Sequence, residues 1–148
     1  MSAPPKIPDA FKVLVRLSAQ VAILSLLVAL FSTWLWIGIP VYGGITVGHV
    51  VVSILLALLA SRTYALASPL ASVITSGLGG RVEKAGLLII YTVRFLVLAI
   101  LYLGYKWLFT FAAARAGLLP RDAATLYDAA FVLAAAYLAY SVVKVFTG

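Results

Sequence analysis

The chain has 148 residues, 65% of them hydrophobic and only 10% charged, with a net charge of +7. So little polar material excludes a water-exposed globular domain of this length. The absence of cysteine excludes disulfides and thiolate chemistry, and one His, one Met and four acids exclude bis-His or His/Met haem ligation within one chain and argue against a carboxylate cage for calcium or magnesium.

Four apolar runs, 17–39, 45–61, 85–111 and 123–146, organise the chain. Each is about long enough to cross a ~30 Å hydrocarbon layer as a helix, which takes roughly 20 apolar residues. The predicted fold is therefore all-α: one membrane-embedded domain over 1–148 with about four transmembrane helices. Its first two helices form a hairpin, and a kinked or interfacial segment separates the second from the third.

Asp9, after Pro8, resembles a helix N-cap and predicts a first helix running toward Ile39. Lys12 and Arg16 on its first turns belong in the headgroup region, and Trp34 and Trp36 mark the opposite interface. The run is too long for a signal-peptide core and no small-residue cleavage motif follows it, so the first span is expected to be retained. Pro40-Val41-Tyr42-Gly43-Gly44 is a tight turn: proline stops the helical ladder and two glycines allow positive φ. The second run is expected to end at Arg62. Segment 63–80 carries no charge and contains Pro69 and small residues. It could extend the second helix past a kink, lie in the interface or form a re-entrant segment, and a kinked or interfacial helix ending at the glycines of 77–80 is the favoured expectation. The third helix begins at 81–84 and ends near 112–117, and Asp122 suits the positive end of the fourth helix dipole.

Lys6, Lys12, Arg16, Arg62, Arg81, Lys84 and Lys144 fall on one side of a four-span arrangement, Arg115 and Arg121 on the other. The positive-inside rule then predicts a cytoplasmic membrane protein with both termini inside. The net positive charge is explained by orientation and anionic lipid. The basic residues form no exposed stripe, so direct nucleic-acid binding is not expected. The absence of Asn and the single Gln20 fit a hot, archaeal habitat, although a biased genome gives a similar composition.

Arg94 is the most informative polar residue because it lies about ten residues into the third run, where a charge is costly. Its ordinary explanation is snorkelling or lipid contact; a subunit contact and a pore role are the sharper ones. Arg62, Arg81 and Lys84 are further lipid or subunit contacts. Lys106 and Asp128 lie equally far from the hairpin ends of antiparallel helices, which predicts an ion pair fixing their register. His49 alone makes no metal site, and helix packing explains it more simply. Small residues at four-residue spacing, Ser53, Ala57 and Ser61 on helix two and Ala130, Ala134, Ala135 and Ala139 on helix four, suit close helix packing within the chain or between chains.

No glycine-rich phosphate loop, His-Glu-x-x-His helix or Ser/His/Asp set is present in the sequence. The expectation is a non-enzymatic assembly subunit without cofactor, self-associating or docking on other membrane proteins, and surrounded by lipid. The region 51–106, with Arg62, Arg81 and Lys84 in or beside the joining segment, is similar to the pilins of conjugative pili. Two hydrophobic helices joined by a short basic loop characterise that family, and its members assemble with lipid. That resemblance implies an extracellular filament, although the extra first and last helices and the longer linker depart from the pattern. A small oligomeric channel using Arg94, or a redox-complex subunit holding a quinone or haem with partner ligands, are the remaining readings.

Overall fold

The computed structural model describes residues 7–32, 38–76 and 82–147. The described residues form four helices, α1 (Ile7–Phe31), α2 (Val47–Ser76), α3 (Val82–Arg115) and α4 (Pro120–Thr147), with a small hairpin of β1 (Pro40–Tyr42) and β2 (Ile45–Thr46) between α1 and α2. All four are long and apolar enough to cross a membrane. The chain is thus an all-α, four-helix membrane protein. At ~1.5 Å per residue, helices of 25 to 34 residues measure roughly 37–51 Å, the thickness of a bilayer with its headgroups.

The helices stand in a row. α1 packs on α2, α2 on α3 and α3 on α4, while α4 makes at most glancing contact with the first two. The described helices therefore bury little: Leu56, Leu59, Ala60, Val93 and Tyr127 are among the few buried apolar residues, and Leu26, Leu103 and Leu133 are each more than 70% exposed. Such a surface would be ruinous in water but is the normal lipid-facing wall of a membrane helix. Most described helical hydroxyls donate back to a carbonyl one turn earlier, as Ser25 does to Val21 and Thr92 to Leu88, so they enter the hydrocarbon already paired.

The termini of the elements follow from local chemistry. Gly43 and Gly44 both take positive φ, 49° and 94°, in the two-residue turn between β1 and β2, where side chains on L-residues are disfavoured. α3 closes on Gly117 at φ 91°, with Gly117 N–H donating to the Ala114 carbonyl and Leu118 N–H to that of Ala113, a Schellman end. Pro120 opens α4, where its missing N–H costs nothing, with Asp122 in the first turn.

Two boundaries differ from the sequence expectation. α1 ends at Phe31 and not at Ile39; Trp34 and Trp36 lie outside the described residues. At its end Ser32 turns its hydroxyl onto the Val28 carbonyl, the local competition that accompanies helix ends. α2 does not stop at Arg62 but runs on through Pro69 to Ser76, so the described part of segment 63–80 is helical and continuous with the second span. Arg62 accordingly stands near the middle of a 30-residue helix. Small side chains let this extension form: Thr63, Ala67, Ala71 and Thr75, four apart, are all buried, and Thr75 meets α3 at Gly86.

Candidate functional site

Three polar constellations interrupt the apolar row. The first clasps α3 to α4. Lys106 Nζ lies 3.0 Å from Asp128 Oδ1, and Tyr102 donates its hydroxyl to the same oxygen at 2.6 Å while accepting from Lys106 at 3.3 Å. The structure thus brings Lys106 and Asp128 together, as antiparallel packing requires of residues equally set back from the α3–α4 turn. Beside them Tyr127 is buried and donates to the backbone carbonyls of Leu101 and Tyr102 at 2.9 and 2.8 Å. Its ring stacks on Tyr102 at 5.5 Å and meets Phe131 at 4.7 Å. Net neutrality lets such a charge pair sit inside the membrane boundary, where either partner alone would be strongly disfavoured.

The second constellation starts α2. Thr46 precedes the helix and its Oγ1 accepts the His49 N–H at 3.4 Å, while His49 Nδ1 accepts the Thr46 N–H at 3.2 Å. This reciprocal pair is a capping box with histidine where Glu or Gln is usual. The ring then packs on Trp107 at 4.5 Å, at the edge of a groove of about 460 Å³ between α1, α2 and α3. Nearby, the Tyr105 hydroxyl donates to the Ser53 carbonyl, tying α3 to α2. The β-hairpin leans on the end of α3, with Arg115 set over the rings of Tyr42 and Phe111 at 5.3 and 5.0 Å.

Arg94 is the centre of the third. It is half-buried between α2 and α3, with its guanidinium 5.2 Å from the Tyr91 ring centre and 5.9 Å from that of Tyr64. Among the described residues no acid pairs with it and no carbonyl or hydroxyl accepts from it. A groove of about 250 Å³ opens beside it, lined also by Ala67, Ser68 and Ile90. Arg62 and Lys84 are exposed, and Arg62 borders a separate groove with Gln20 and Leu58 between α1 and α2. Arg81 lies outside the described residues.

The small residues singled out in the sequence fall mainly on outward faces: Ala57, Ser61, Ala130 and Ala139 are exposed, while Ser53, Ala134 and Ala135 are half-buried. The stripe that does the close packing within the chain, Thr63–Ala67–Ala71–Thr75, was missed, although its four-residue spacing was there to find. The His49 capping box was missed as well, because its sequence signature is written for Glu or Gln. Among the described residues no three His, Cys, Asp or Glu side chains gather as a metal-binding group. Comparison with protein families, curated proteins and solved structures finds no match for the chain.

Proposed function

We propose that this chain is a non-enzymatic integral-membrane assembly subunit, which associates laterally with copies of itself or with other membrane proteins and contacts lipid headgroups through its basic side. The observation that carries this reading is the open row. Among the described helices α4 packs on α3, with at most glancing contact to the others, and leaves a complete face, with Leu126, Ala130, Leu133, Tyr137 and Tyr140, uncovered. Ala130 and the likewise exposed Ala139 set small side chains among these large ones, and small residues let helices approach closely where lipid supplies no hydrophobic drive. Lys12, Arg16, Lys84 and Lys144 lie toward the ends away from the β-hairpin, with Arg94 in the same half of α3 and Arg62 near the middle of α2, which supports a cytoplasmic position for that side. A filament of pilin-like subunits would be the same lateral association carried into a lattice.

The chain has no cysteine, so single cysteines report contacts without background. Cysteine at Ala130 or Leu133 on the α4 edge, or at Leu26 on the α1 edge, should give a position-specific disulfide dimer in native membranes. Cysteine at Leu103, on the broad face of α3, should give none. Gently extracted material should have the mass of several chains, or of a complex with other subunits. A single-chain mass together with no position-specific cross-link would overturn the reading.

A further inference from the structure

We propose that the groove between α2 and α3 at Arg94 is a binding site for the phosphate of an anionic phospholipid. The site deepens the lipid-contact part of the proposed function and rests on it, but not on self-association.

The depth of Arg94 follows from the helix register. Contacts between α2 and α3 descend in order: His49 on Trp107, Ser53 on Tyr105, Leu56 beside Gly104, Tyr64 on Arg94, Thr75 beside Gly86. Arg62 is therefore within a turn of the Arg94 level. On α1, Gln20 shares a groove with Arg62, and Arg16 is one turn further toward the same end. Three arginines from three helices thus occupy one layer of the molecule. A layer of unpaired cations does not belong in mid-hydrocarbon.

The opposite polar layer holds Lys106, twelve positions from Arg94 on α3, roughly 18 Å along the helix. A hydrocarbon layer of ~30 Å exceeds that by about 12 Å. Lys106, neutralised by Asp128, tolerates a place about 6 Å inside its boundary, and the Arg94 layer meets the other interface by reaching about 6 Å toward its own headgroups. The arginine layer lies at the glycerol–phosphate level of one leaflet. The ends of α2 and α3 beyond it, 69–76 and 82–89, are about 12 Å long, enough to cross a headgroup region of about 5–8 Å.

At that level Arg94 is prepared for an anion. Tyr64 and Tyr91 hold the guanidinium in place without using its N–H donors, and no described acceptor takes them. Tyr64 and Ser68 line the same groove, and their hydroxyls have no partner among the described residues. A phosphodiester supplies the missing charge and two oxygens for the planar fork, while its acyl chains run along the apolar walls of α2 and α3.

The test is native mass spectrometry of the full-length chain titrated with phosphatidylglycerol, phosphatidylcholine or inorganic phosphate. The wild type should bind one phosphatidylglycerol at least about tenfold more tightly than phosphatidylcholine. Arg94→Leu should lose about tenfold of that affinity, as expected for a charge-assisted hydrogen-bonded contact. Arg94→Lys, which keeps charge but loses the fork, should fall between, and guards against a leucine variant that misfolds. Arg121→Leu at the opposite end should bind as wild type. Unchanged affinity in Arg94→Leu, an equal loss in Arg121→Leu, or no preference over phosphatidylcholine would overturn the site. Displacement of the lipid by equimolar inorganic phosphate would reassign it to a soluble anion. The same spectra count chains, so a monomer that keeps Arg94-dependent lipid, together with no position-specific cross-link, would sink self-association and leave this site standing.

Discussion

At the scale of residues, the molecule solves the problem of carrying charge in lipid in two different ways. Lys106 and Asp128 neutralise each other, with Tyr102 satisfying the shared carboxylate oxygen. Reversing either charge alone should lower thermal stability in bilayer nanodiscs, and the double swap Lys106→Asp with Asp128→Lys should recover most of the loss. Additive losses would mean that the two groups are independent despite their 3.0 Å separation. The possibility of this pair was legible because antiparallel helices bring equal setbacks to equal depth. The tyrosines around it were not, since an aromatic residue near a helix end is equally expected at a membrane interface. Arg94 was visible as an anomaly, but its aromatic bracket needs the register of α2, which no local pattern supplies.

At the scale of elements, the instructive case is α2. Arg62 and Pro69 look like stop signals when a span is measured against hydrocarbon alone, yet the helix continues through both. Proline removes only one ladder bond and burdens one turn, and neighbouring packing can make up for it. Here the small stripe from Thr63 to Thr75 provides that packing. The turn at Gly43-Gly44, by contrast, was legible, because positive φ at two successive residues is a local demand that the sequence meets locally, although the two short strands that flank it were not foreseen and α2 starts at Val47 rather than Ile45. The α2–α3 contact also sets a size limit at Gly104, where an added Cβ would come within 2.6 Å of a Leu56 methyl. Leu56 borders the 460 Å³ groove and has somewhere to turn. Gly104→Ala should therefore cost little, about 1 kcal/mol or less. Gly104→Phe should cost about 1–3 kcal/mol and weaken the α2–α3 pairing, measured by unfolding in mixed detergent.

At the scale of the whole molecule, four spans were legible from hydropathy and length, while their arrangement in a row was not. Periodicity reports which residues avoid water, and in lipid nearly every face qualifies. The row makes the attachments of α4 few and nameable. Tyr127→Ala should loosen α4 alone: spin-label distances from α4 to α3 should broaden while those between α1 and α2 stay sharp. Broadening throughout would show that the row is held together by more than neighbour contacts. Because each helix packs mainly on the one made just before it, no segment must wait for a distant partner. Every contact surface is available when the next helix leaves the ribosome, so the order of synthesis is also an adequate order of folding. A chain built in this way carries an open edge at every stage of its manufacture, and among the described residues the outer face of α4 is one such edge.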